Sequence, residues 1–152
     1  MNEYMKIAKE MAEKGHRCGE GGPFGAVIVK NGEIVAKGNN KVIGNNDPTA
    51  HAEVVAIREA SKKLGTYDLS ECTLYTSCEP CPMCLSAIIW ANIKEVYYAC
   101  TKKDAANIGF RDEAIYEYLK GNNKDLINLY PIDREECLSV FEEYHEQNKT
   151  IY

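Results

Sequence analysis

At 152 residues the chain is long enough for one domain that buries roughly 68–70% of its unfolded surface, so a core needs neither disulfides nor a structural metal. Hydrophobic residues at 45% and charged residues at 27% are ordinary for a globular protein, and a net charge of −5 excludes bulk attraction to phosphate backbones. Seven cysteines, three of them packed into Cys78-x-x-Cys81-x-x-Cys84, speak against a disulfide framework. With charged residues scattered between Met1 and Gly15 and no apolar run of membrane length, the expected setting is cytoplasmic.

In chain order, Tyr4, Ile7, Ala8, Met11 and Ala12 recur at helical spacing, and Gly15 offers a stop. After Gly21-Gly22-Pro23, residues 24–30 and 33–38 are β-branched runs joined by Asn31-Gly32, the dipeptide that most favours a tight antiparallel hairpin. Pro48 introduces a helix over 50–64. A strand over 73–76, a helix over 82–91 and a strand over 95–99 follow. Strands alternating with helices of about ten residues imply parallel pairing, which beside the antiparallel hairpin makes a three-layer α/β/α sandwich with a central mixed sheet. Short helices are expected over 104–108 and 113–119, a last strand over 126–130, and a helix over 133–147 with Cys137, Val140, Phe141 and Tyr144 on one face. Cys18, Cys72, Cys100 and Cys137 read as small core hydrophobes, and His16 and His145 have no assigned role.

Two segments carry the chemistry. His51-Ala52-Glu53 supplies an imidazole and a carboxylate, and Pro80-Cys81-Pro82-Met83-Cys84 supplies two thiols. Three protein ligands, His51, Cys81 and Cys84, leave one corner of a tetrahedral zinc open, and an open corner marks a catalytic rather than a structural site. Both segments fall at helix starts, where unpaired N–H groups and the positive dipole end favour thiolates. One neutral imidazole and two thiolates cancel the charge of Zn²⁺, so a bound water needs a separate base, and Glu53 is the candidate proton shuttle. The bland alternative is a helix-start histidine and a structural metal with Cys78 as fourth ligand.

His-Ala-Glu followed by Pro-Cys-Pro-Met-Cys resembles the signature of zinc-dependent nucleoside and nucleobase deaminases of the cytidine-deaminase-like superfamily. Within it the chain is most similar to the guanine deaminases. The likeness runs from Gly21-Gly22-Pro23-Phe24-Gly25 through Asn46-Asp47-Pro48-Thr49 and Tyr75-Thr76-Ser77-Cys78-Glu79 to Gly109-Phe110. It implies hydrolytic loss of ammonia from guanine, a homodimer, and a C-terminal segment exchanged between subunits. It also implies substrate contacts from Phe24, Asn40, Ala52, Trp90, Asp112 and the final Tyr152.

Read from the residues alone, Asn40 is equally a turn residue, Phe24 and Trp90 core aromatics, Asp112 a helix N-cap and Tyr152 a frayed terminus. Arg111 stands where the resemblance implies an acidic residue. The second and third stretches are shared with tRNA adenosine deaminases, which form the alternative, together with deaminases of other small aminated rings. Asp133, Glu135, Glu136, Glu142, Glu143 and Glu146 on the last helix argue against a nucleic-acid partner. A zinc-stabilised binding module without turnover is the third reading, and Glu53, which no structural site requires, argues against it.

Overall fold

The computed structural model describes residues 1–152, which divide into two compact units, Met1–Tyr116 and Glu117–Tyr152. Helix α1 (Glu3–Arg17) opens the first unit, with the Asn2 side chain accepting from the Tyr4 and Met5 amides. It runs two residues past Gly15, which is buried in the helix rather than ending it. Strands β1 (Gly25–Lys30) and β2 (Glu33–Asn39) form the expected antiparallel hairpin, with Asn31 and Gly32 both at positive φ, 50° and 76°. Helix α2 (Ala52–Leu64), strand β3 (Cys72–Cys78), helix α3 (Pro82–Trp90), strand β4 (Glu95–Cys100), and helices α4 (Lys102–Asn107) and α5 (Asp112–Leu119) follow.

The strand order is β2-β1-β3-β4. Parallel pairing holds for β3 and β4, which α3 connects, but β1 and β3 pair antiparallel. The reason lies in the crossover. Because β2 and β3 are both antiparallel to β1, they run the same way, so α2 does join two parallel strands, with β1 inserted between them. The sheet is therefore mixed.

Strand β1 is buried on both faces, and its alternation sorts the core into two layers. Ala26 and Ile28 pack with Ala52, Ala56 and Ala60 of α2 and Ile88 of α3; Val27 and Val29 pack with Ala8 of α1. This gives the three-layer α/β/α sandwich. Alanines along α2 let that helix lie close on the sheet, which fixes where its first turn falls.

In the second unit the structure corrects two readings. Residues 126–130 form no strand: Lys124–Leu126 is a 3-10 turn and no ladder pairs the residues after it. Their apolar character comes from Leu126, Ile127 and Leu129, but Pro131 follows and a strand exists only with a partner for its amides. Helix α6 (Arg134–Glu146) forms as expected, and Val140, Phe141, Tyr144, His145 and Ile151 line an apolar groove within the unit. Of the four cysteines read as core hydrophobes only Cys72 is buried, while Cys18, Cys100 and Cys137 are exposed. Cys18 caps a helix end and Cys100 ends an edge strand, positions where hydrophobicity does not decide burial. No helix is long and apolar enough to cross a membrane.

Candidate active site

Helices α2 and α3 begin side by side. His51 stands immediately before α2 in extended conformation (φ −67°, ψ 156°) with its ring not used for capping, and Cys81 stands in the same place before α3 (φ −66°, ψ 167°). Pro82 follows Cys81 as a first helical residue, where its missing N–H costs nothing. Cys84 lies one turn further, and its amide donates to Cys81 Sγ at 3.5 Å.

His51 Nδ1 is 3.5 Å from Cys81 Sγ and 3.4 Å from Cys84 Sγ. Zinc bonds of about 2.0–2.1 Å to nitrogen and about 2.3 Å to sulfur set a tetrahedral N···S edge of about 3.5 Å. The separations are those of a coordination tetrahedron, with Nδ1 as the ligating nitrogen. All three ligand atoms lie within 4.8 Å of one another, and one imidazole with two thiols is a donor set suited to zinc. Without metal, hydrogen bonding from the Cys84 thiol and from His51 draws the Cys81 thiol well below its ordinary range, and Cys84 is pushed up beside that thiolate. The Cys81 contact in turn raises His51.

Cys78 stands outside this cluster. Its Sγ donates to the Thr101 carbonyl at 3.6 Å, and burial pushes the thiol up to about 12, the opposite of a thiolate ready to bind metal.

Glu53, in the first turn of α2, is 6% exposed, and burial raises its carboxyl above the usual range. The Thr76 hydroxyl donates to Glu53 Oε1 at 2.9 Å across the core. A glutamate in such a place holds a proton more readily than a solvated one, as a group that must both accept and return protons requires.

A cleft of about 370 Å³ collects His51, Glu53, Cys81, Phe24, Asn40 and Asp112 among its lining residues. A larger cavity of about 500 Å³ is almost wholly apolar and lined by Met5, Ala12 and Ile108 among others; the ligand cluster, Glu53 and Asp112 do not line it. Chemistry and not size therefore selects the first. Asn40 accepts from the Val42 amide through Oδ1, which leaves its Nδ2 as the donor end. Gly21 packs so closely on Asn40 that a side chain there would collide with it, and a Cβ on Gly22 would come within 2.9 Å of the Phe24 and Phe110 rings. Phe24 meets Phe110 edge to face, with centroids 4.8 Å apart.

Asp112 is the first residue of α5 rather than the one before it, and burial raises its carboxyl. Four residues on, the Tyr116 hydroxyl donates to the Pro80 carbonyl at 2.8 Å, pinning α5 to the loop that enters Cys81, while Lys102 Nζ sits 4.5 Å over the Tyr116 ring. Ala52 is fully buried at the first position of α2, and its amide is one of the first-turn N–H groups without an intrahelical acceptor. Ala52 and Cys84, both fully buried, do not line the cleft, nor does Trp90, 65% exposed at the end of α3; Tyr152 is exposed at the end of the second unit. Sequence reasoning missed Phe110, Glu79, Thr76 and Tyr116. The available signal was Thr76, a polar residue on the apolar side of an alternating strand.

Residues 1–100 match the family model of the cytidine and deoxycytidylate deaminase zinc-binding region. The chain belongs to that deaminase family. All three ligand residues of the deaminase and Glu53 fall inside the matched stretch, whereas Asp112 lies beyond it. The deaminase is 52% identical over 151 residues to the guanine deaminase of Bacillus subtilis (strain 168), covering 98% of this chain and 97% of the relative. It is 43% identical over 100 residues to the tRNA-specific adenosine deaminase of Aquifex aeolicus, covering 66% of each chain. The X-ray structure of guanine deaminase from Bacillus subtilis superposes with a TM-score of 0.93 at 51% identity, covering all of this deaminase and 99% of that chain.

Proposed function

We propose that this deaminase is a zinc-dependent aminohydrolase that converts guanine to xanthine and ammonia. The observation that carries the substrate is Asp112. Its carboxylate shares one cleft with His51, Cys81 and Glu53, in a chain whose likeness to the B. subtilis guanine deaminase extends well past residue 100.

His51, Cys81 and Cys84 would hold the zinc, which when bound supplies the Lewis acidity that makes a water nucleophilic near neutral pH. Glu53 takes a proton from the attacking water and returns protons to the purine ring and the departing amine at C2. Asn40 offers its Nδ2 to an acceptor on the base, and Phe24, braced by Phe110, stacks on the ring. Asp112 accepts from guanine N–H groups that adenine lacks, so the wrong purine leaves a half-buried carboxylate unpaired.

Residues 1–152 act as one deaminase domain in a cytoplasmic homodimer, with Trp90 walling the pocket and the C-terminal helix exchanged so that Tyr152 closes a partner's site. Exposed apolar side chains support association: Ile89 and Tyr97 in the first unit, Val140 and Phe141 in the second. The acidic residues of α6 support a small-molecule substrate over nucleic acid, and the lower identity to the Aquifex aeolicus tRNA enzyme, 43% against 52% for the guanine deaminase, agrees.

The reading is tested with the purified zinc-loaded protein. Guanine should disappear with xanthine and ammonia formed in equal amounts, and absence of product would overturn it. Removing residues 150–152 should lower kcat/KM for guanine by about tenfold or more, since a lid excludes water from proton transfer. Wild-type kinetics from that truncation would refute the role of Tyr152.

A further inference from the structure

Thr76 is 1% exposed and sits on the inward side of β3 with Leu74 and Cys78, where valine would fill the same space. Its strand is held from both sides: Thr76 is in register with Ala26 of β1 and Tyr98 of β4. The hydroxyl therefore has a nearly fixed origin. Two acceptors lie within its reach, Glu53 Oε1 at 2.9 Å and the Cys78 carbonyl at 3.1 Å, but a threonine has one proton to give.

We infer that Thr76 is a positioning residue for the reaction, its hydroxyl holding Oε1 of Glu53 so that the travelling proton is carried on the other carboxyl oxygen. This rests on the guanine deaminase reading and deepens it. Of the two acceptors Oε1 is the nearer, and a carboxyl oxygen is the only one of them that belongs to a side chain able to turn, so the bond fixes its orientation. A valine or alanine here would remove the strand's hold on that oxygen. A purely structural threonine would need only the bond two residues along its own strand. The contact with Glu53 crosses 23 positions of sequence and joins strand to catalytic helix.

The test compares Thr76→Val, Thr76→Ala and Thr76→Ser. Val and Ala should lower kcat on guanine by about ten- to a hundredfold, with KM within about threefold and zinc content unchanged. Ser, which keeps the hydroxyl and loses the methyl, should restore kcat to within about threefold of wild type. If the Val protein does not accumulate, the Ala and Ser pair isolates the hydroxyl. Wild-type kcat in the Val or Ala protein, an effect confined to KM, or a Ser protein as slow as Ala would overturn the inference. The hydrogen bond is also read without turnover, by infrared absorption of the Glu53 carboxyl, identified by its loss in Glu53→Gln. That band should shift in Thr76→Val and not in Thr76→Ser, and an unmoved band in Val contradicts the inference. If guanine is not turned over by wild type, the substrate reading fails, while the infrared comparison still decides the role of Thr76.

Discussion

Glu53→Gln is expected to keep its zinc and its fold while losing turnover of guanine by on the order of 10³- to 10⁴-fold. The substitution is close to isosteric, and the amide oxygen still accepts from Thr76, whose hydroxyl lies 2.9 Å from Oε1. The packing of α2 on the sheet is untouched, because the helix is seated by Ala52, Ala56 and Ala60. What is lost is the ability to take and return a proton. His51, Cys81 and Cys84 remain, so metal analysis should find the wild-type zinc content. Burial already raises the Glu53 carboxyl, so at neutral pH this side chain accepts a proton at smaller cost than a solvated glutamate would. An amide offers no such state at any pH. Substantial turnover in this variant would remove Glu53 from the mechanism.

The second large effect concerns recognition. Asp112→Asn should lower kcat/KM for guanine by about a hundredfold, because an amide turned toward purine N–H groups sets a donor against donors and removes a charge-assisted bond. Asp112 is half-buried, and solvent cannot fully compensate. The competing reading, a residue that merely favours the start of α5, predicts a different outcome: a lower melting temperature with unchanged kcat/KM, since an acidic residue in a helix first turn contributes about 0.3–1 kcal/mol. Measuring both quantities on one preparation separates the two.

How much of this was legible in the sequence depended on the range of the interactions. The cluster of His51, Cys81 and Cys84 was readable because each half is local: Cys81 and Cys84 sit within one helical turn, with Pro82 fixing that helix start, and His51 stands directly before the other helix. The hairpin was readable from Asn31-Gly32 for the same reason. Insertion of β1 between β2 and β3 was not, because the alternation of strand and helix fixes direction but not neighbour. The apolar run of residues 126–130 misled because pattern alone supplies no pairing partner. Thr76 offered only its polarity on the apolar side of an alternating strand until its bond to Glu53 is seen, and Tyr116 is an ordinary helix tyrosine until it reaches the Pro80 carbonyl. The exposed cysteines Cys18, Cys100 and Cys137 show the limit of composition rules, which average over positions and do not know edges.

Ammonia release by the zinc-loaded protein over matched concentrations of guanine, guanosine, adenine, cytosine, cytidine and a tRNA anticodon stem tests the central claim most directly. Asp112, Asn40 and Phe24 in a cleft of about 370 Å³ with His51 and Cys81 predict that guanine is turned over with a kcat/KM far above every other substrate. Release from the anticodon stem with none from guanine would contradict it.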